Sequence, residues 1–209
     1  MPRAAPFEAH TERYEDWFSV HEDAYRSELS ALRRLHPTPG LGLAIGVGTG
    51  RFAGPLSVDV GLDPSVTMLE RARQRGIDVV RGVAESLPFE DSTFDTALSV
   101  TTICFVDDLF QTLVEAERVL APDGALVLGY VDRESPLGQK YQATKDQNPF
   151  YRDATFVSTA ELLGELEAAG FAEFEFVQTI YHPLEAIDGL EPIEDGYGEG
   201  SFVALRARR

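Results

Sequence analysis

Residues Leu41–Pro64 read LGLAIGVGTGRFAGPLSVDVGLDP, and this stretch decides the fold. Leu41 to Ile45 is a short apolar run that leads straight into Gly46, Gly48 and Gly50. A glycine turn at the carboxyl end of a buried strand lets a ligand lie against the backbone, because no Cβ stands in the way. Val58, Val60 and Leu62 then alternate toward a single carboxylate, Asp63. An acid at the end of the second strand is well placed to take the two hydroxyls of a ribose. Together these features predict a nucleoside-binding α/β domain.

Downstream, strands and helices alternate. Ser65 is placed to cap a helix running to about Arg75, with Val66 and Leu69 inward and Gly76 as its stop. Ile77–Val80 is a third strand, and Phe94–Val100 a fourth that ends in Thr101 and Thr102. Leu109, Leu113, Ala116 and Leu120 share one helix face. Pro122-Asp123-Gly124 then turns the chain into Ala125–Val131, an apolar run typical of a strand covered on both faces. Residues 133–157 are irregular, with Pro136, Gly138 and Pro149. Ser158 and Glu161 have capping-box spacing for a helix that Gly170 ends. Phe171–Tyr181 and Ser201–Leu205 complete the strands, and the basic tail Arg206–Arg209 is expected to fray. Upstream, Ala24, Leu29, Leu32 and Leu35 fall at helical spacing, and Pro37, Pro39 and Gly40 are expected to stop that helix. The expected fold class is α/β, a three-layer Rossmann-like arrangement. Its seven-stranded sheet is mostly parallel, with an antiparallel hairpin on the edge.

At 209 residues the chain is most simply one domain. Its formal net charge of −17 argues against nucleic acid or anionic membrane as partners, since both need clustered Lys and Arg. No apolar run approaches the ~18 residues of a membrane span. The first residues lack a charged-then-apolar leader pattern, so a cytoplasmic location is expected. The lone Cys104 excludes a disulfide framework and a cysteine metal cluster, and no metal is expected.

The glycines alone leave the nucleoside open, because Gly48, Gly50 and Ala53 also satisfy the GxGxxA of nicotinamide-binding proteins. Pro55 makes a poor helix seat for a pyrophosphate, and a forty-residue preface fits a dinucleotide fold badly. In five motifs, in order and spacing, the chain resembles the class I S-adenosylmethionine-dependent methyltransferases with a type 11 methyltransferase domain. The motifs are Ile45-Gly46-Val47-Gly48-Thr49-Gly50, Gly61-Leu62-Asp63-Pro64-Ser65, Ala84-Glu85-Ser86-Leu87-Pro88-Phe89, the Thr101-Thr102 strand end, and Arg118-Val119-Leu120 with Pro122-Asp123-Gly124. The resemblance implies a methyltransferase fold with S-adenosyl-L-methionine as cofactor. It implies that Gly46, Gly48 and Gly50 wrap the methionine part and that Asp63 takes the ribose. Leu62, Pro64, Ala84 and Glu85 would then contact the adenine, with Thr101 beneath the methionine group. It also implies one methyltransferase domain, 1–209, made of a helical cap (1–40), a cofactor core (41–131), a substrate lid (132–158) and the rest of the sheet (159–209). Two positions depart from the pattern: Ala44 and Val83 stand where the family usually carries acids. Backbone carbonyls near Gly46 and Thr101 are expected to replace the first acid, and the Ala84 amide with Glu85 the second.

Methyl transfer needs alignment and exclusion of water more than acid–base chemistry. A general base matters only for an acceptor that arrives protonated. His182, at the end of the sixth strand, is the candidate; His10 and His21 lie in the preface, and His36 reads as a loop residue. Tyr14, Trp17 and Tyr25 either cover a cation or form the apolar face of a docked helix. Tyr141, Phe150 and Tyr151 are expected to line an acceptor pocket, with Cys104 a pocket or core residue. The acids of residues 185–199 either favour an amine acceptor or are solvated surface. The implied activity is methyl transfer to a small molecule. The alternative is a non-catalytic protein that binds S-adenosylmethionine or S-adenosylhomocysteine.

Overall fold

A single sheet runs through the computed structural model, which describes residues 4–36 and 40–209; the expected stop at Pro37 and Pro39 lies outside them. Its strands are β1 (Gly42–Ile45), β2 (Val60–Asp63), β3 (Asp78–Arg81), β4 (Phe94–Val100), β5 (Leu120–Val131), β6 (Ala172–Thr179), β7 (Glu194–Asp195) and β8 (Phe202–Arg208). They lie in the order β3-β2-β1-β4-β5-β8-β6-β7. The first five pair in parallel. β8 is antiparallel to both β5 and β6. The strand order therefore reverses at β1, whose neighbours are β2 and β4, and the carboxyl ends at such a point open a crevice for ligands.

The alternation of side chains along β1 divides the core into two layers. Ala44 packs with Leu29, Leu32 and Leu35 on one face. Leu43 and Ile45 pack on the other with Leu113, Ala116, Leu162 and Leu166. The first layer carries α3 (Glu22–Leu35) and α4 (Val66–Gln74); the second carries α5 (Leu109–Val119) and α7 (Thr159–Ala168). Two short helices, α1 (Ala5–Ala9) and α2 (Thr11–Val20), precede α3, and α6 (Pro136–Thr144) follows β5. Caps fix where these helices begin. Ser65 Oγ accepts from Met68 N, Asp108 Oδ1 accepts from Gln111 N, and Ser158 forms a reciprocal capping box with Glu161.

The fold is the one expected, with four differences of detail. The sheet has an eighth strand among the described residues, because Glu194–Asp195 pairs briefly with Val177 and Gln178 outside the expected hairpin. The basic tail does not fray: Arg206 and Arg208 lie in β8, in register with β5 and paired with Glu175 and Glu173. Val66 points outward at 39% exposure, because it opens α4 one turn before the buried Leu69. The irregular stretch contains α6, which Ser135 caps from its side chain and Pro136 starts at the first helical position.

Candidate functional site

A cavity of about 360 Å³ opens over the carboxyl ends of β1, β2 and β4 and is roofed by α2. That size falls within the ~300–1,000 Å³ of small-molecule sites. The glycine turn forms its floor. Gly46 and Gly48 have φ of +70° and +53°, where a side chain is strained. A Cβ on Gly46 would collide with Thr102, and one on Gly48 would stand 3.3 Å from the Tyr14 hydroxyl. Gly50 does not face the cavity. A Cβ there would meet Ile77 Cδ1 at 2.7 Å, so its bareness serves the packing of the turn on α4.

Asp63 sits beside this turn. Its Oδ2 accepts from Gly48 N at 2.9 Å and its Oδ1 from Ser65 N at 2.9 Å. Burial raises its pKa, while these two N–H groups work against the rise. Each oxygen keeps a lone pair for another donor. Leu62, Pro64 and Ala84 also border the cavity. Glu85 borders it too, but its Oε1 accepts from Asp107 N at 2.6 Å and so ties the loop before α5. Thr101 reaches the cavity with φ +50°, an outlier for a β-branched residue. Thr102 Oγ1 lies 3.1 Å from the Val100 carbonyl and 3.3 Å from that of Gly46, so its one proton is shared between them. Ala44 is buried in the apolar layer under α3, which leaves no polar group at that point of the floor.

The roof is pinned to the floor by charge. Glu15 of α2 takes Arg51 through Nε at 3.0 Å and Nη2 at 2.5 Å, and Arg75 through Nη2 at 2.8 Å. Burial opposes its charge, but these arginines hold its pKa below the usual carboxylate value. Arg75 Nη1 also donates to Thr49 O at 2.6 Å, and Tyr25 donates to Arg51 O at 2.6 Å. Tyr14 and Trp17 face the cavity, whereas Tyr25 is spent on this brace. Phe7 closes the rim, 4.9 Å from Phe105 and 5.1 Å from Phe150 by ring centroids. On the far wall stand Tyr141, Phe150 and Tyr151, with the Tyr141 and Tyr151 rings 4.6 Å apart. Cys104 packs there against Ala154 and Phe156.

The histidines separate. His182 is 65% exposed at its side chain and lies outside the cavity wall, 2.9 Å from Glu191 through Nδ1. It is set there because Glu191 also accepts from the Tyr181 and His182 amides. His10 lies against Phe150 outside the wall, and His36 follows α3. His21 does line the cavity, and burial lowers its pKa. Three of the six acids of the 185–199 loop have partners: Glu185 pairs with Lys140, Glu191 with His182 and Asp195 with Arg34.

The residue that sequence reasoning missed is Glu28. It is 4% exposed, borders the cavity from α3, and burial pushes its pKa up to about 8. Its signal was present in the sequence: Glu28 stands four residues after Ala24 and four before Leu32, an acid on the apolar stripe of its helix. Among the described residues no group of three or more His, Cys, Asp or Glu could hold a metal, and no helix is long and apolar enough to cross a membrane.

A crevice at the strand-order reversal, floored by bare glycines and flanked by a half-buried acid, defines a nucleoside-dependent α/β protein. Comparison with known proteins gives the family. A family model described as a methyltransferase domain (type 11) matches residues 43–128. A crystallised S-adenosylmethionine-dependent methyltransferase of Thermotoga maritima, described as a possible histamine N-methyltransferase, is 49% identical with a TM-score of 0.96; the match covers 99% of each chain. An uncharacterised protein of Methanocaldococcus jannaschii is 41% identical over 97% of this chain and 98% of its own. A ubiquinone biosynthesis O-methyltransferase of Azorhizobium caulinodans is 30% identical over 73% of this chain and 67% of its own. The chain belongs to the S-adenosylmethionine-dependent methyltransferases of the type 11 domain family, and its cofactor is S-adenosyl-L-methionine.

Proposed function

We propose that this protein is a cytoplasmic enzyme that transfers the methyl group to a small-molecule acceptor, an amine among the candidates. The observation that carries this reading is one cavity with two unlike ends, a bare-backbone floor beside Asp63 and an aromatic far wall. The chain acts as one domain, with 1–40 as cap, 41–131 as cofactor core, 132–158 as lid and 159–209 completing the sheet. The cofactor supplies a methyl group already activated on a sulfonium sulfur. The residues present fit it. Gly46 and Gly48 present backbone to the cavity, with Thr102 and Tyr14 closing in where their side chains would stand, and the spare lone pairs of Asp63 suit two ribose hydroxyls. Leu62, Pro64 and Ala84 offer apolar surface to a base, and Thr101 flanks the methionine end. Glu85 has one oxygen left for an adenine edge.

The rest of the chain's task is to position the acceptor and keep water away. Tyr14 and Trp17 of the cap and Tyr141 and Tyr151 of the lid wall off the reacting end, which is the exclusion that such chemistry needs. His182 takes no part in this scheme, since it faces solvent. The Thermotoga protein's description as a possible histamine N-methyltransferase supports nitrogen as the acceptor atom. The test is turnover of methyl-labelled cofactor over a panel of amines, phenols and carboxylates. Transfer to at least one amine is expected; binding of S-adenosylhomocysteine with no transfer across the panel would favour the non-catalytic binder instead.

A further inference from the structure

Glu28 is the buried acid on the cavity that no cation balances. Among the described residues no hydrogen bond or ion pair reaches its carboxylate; the residue is 4% exposed, and what surface its oxygens keep is turned to the cavity that it borders. A buried carboxylate without a partner is costly, and such a group either stays protonated or awaits a ligand. The other acids around the site already have donors: Glu15 two arginines, Glu85 the amides of Asp107 and Asp108, and Asp63 those of Gly48 and Ser65.

Its surroundings point to the acceptor's end. The groups within electrostatic reach of Glu28 are the phenols of Tyr14 on α2, Tyr141 on α6 and Tyr151 beyond it, each with a pKa raised by burial and therefore neutral. Tyr141 and Tyr151 belong to the far wall with Cys104 and Phe156, away from the floor at Asp63. Trp17 and His21 line the same cavity from the cap, and Arg13 is the cationic side chain on its wall. Arg13 is drawn elsewhere, with its guanidinium 5.8 Å over the Phe150 ring. An acid among neutral aromatic rings is a receptor for a positive nitrogen, which the ring faces attract as well.

We propose that Glu28 is the acceptor-recognition residue, and that the acceptor is an amine or imidazole base which Glu28 anchors through a protonated or N–H-bearing nitrogen between Tyr14, Trp17, Tyr141 and Tyr151. This rests on the methyltransferase reading, and it fixes that reading to cationic nitrogen compounds. It also predicts a proton signature. Free Glu28, with its pKa pushed up to about 8, holds a proton at pH 7, and pairing with an ammonium displaces that proton to the buffer.

The experiment is calorimetry on the full chain saturated with S-adenosylhomocysteine, titrated with histamine, 2-phenylethylamine and its neutral counterpart 2-phenylethanol. Wild type is expected to prefer an amine over the alcohol and to release about one proton per amine at pH 7, read from the heats in phosphate and Tris. Glu28→Gln, nearly the same shape, is expected to weaken that amine roughly 10- to 100-fold and abolish the proton release. It is expected to leave S-adenosylhomocysteine affinity within about threefold. Failure of wild type to prefer either amine, or equal amine affinity in both proteins, overturns the proposal while leaving the methyltransferase reading in place. A loss of S-adenosylhomocysteine affinity in Glu28→Gln overturns it too, because Glu28 would then serve the cofactor. Wild type that never binds S-adenosylhomocysteine sinks the functional reading itself. The proton count in wild type needs no variant, so misfolding of Glu28→Gln would not shield the proposal.

Discussion

Asp63, half-buried, and Glu28, buried, are acids on one cavity, yet they are held in opposite ways. Asp63 is gripped by the amides of Gly48 and Ser65, whereas Glu28 has no donor among the described residues. The first is a finished fitting, since its charge is already met by N–H groups and its spare lone pairs suit neutral hydroxyls. The second is unfinished, and its burial cost becomes specificity only when a positive group arrives. One end of the cavity is built by backbone and the other by side chains.

That difference can be broken from either side. At the backbone end, Gly46→Ala puts a Cβ into Thr102 at a positive φ, and a stability loss of roughly 2–4 kcal/mol is expected from backbone strain plus overpacking. Urea unfolding checks it, and a loss below about 0.5 kcal/mol would mean the turn is soft. Between the ends, Glu15→Gln strips the anion from Arg51 and Arg75 and should cost about 1–3 kcal/mol. The loosened cap should also be clipped faster by protease within residues 4–36, and unchanged clipping would dissociate the brace from the roof.

At the side-chain end, pH sharpens the contrast. The folded pKa of Glu28, about 8, lies above its ordinary 4.5, so the folded protein holds the extra proton between those values. Its contribution is complete below about pH 4.5 and is lost as pH climbs toward 8. Wild type should therefore lose stability relative to Glu28→Gln across that window, by at most ~1.4 kcal/mol per pH unit. Urea midpoints for both proteins from pH 5 to 8 check this, and parallel curves would contradict it. The smallest effect is expected at His182. His182→Ala removes an exposed imidazole from Glu191, which keeps its two backbone donors, and should shift stability by less than about 1 kcal/mol, with no change in turnover.

The backbone end was legible in the sequence because its rules are local. Glycines that need positive φ, a strand that ends on an acid and a serine three residues before an amide all leave marks in consecutive letters. Seven of the eight strands and the position of Asp63 follow from such marks. The side-chain end was not legible, because it is assembled from far-apart pieces. Glu28, Tyr14 and Tyr141 meet only after α2 and α3 pack over the sheet and α6 returns from β5. His182 misled for the same reason. Its place at the end of the sixth strand was correct, but Glu191, nine residues on, holds it at the surface. The eighth strand escaped notice because two residues carry no periodicity.

The most direct test of the central claim is titration of S-adenosylhomocysteine into wild type and Asp63→Ala. The account predicts that losing two charge-assisted contacts weakens binding by roughly 100-fold or more. An affinity within about threefold of wild type would contradict it, because the ribose would then not rest on this carboxylate.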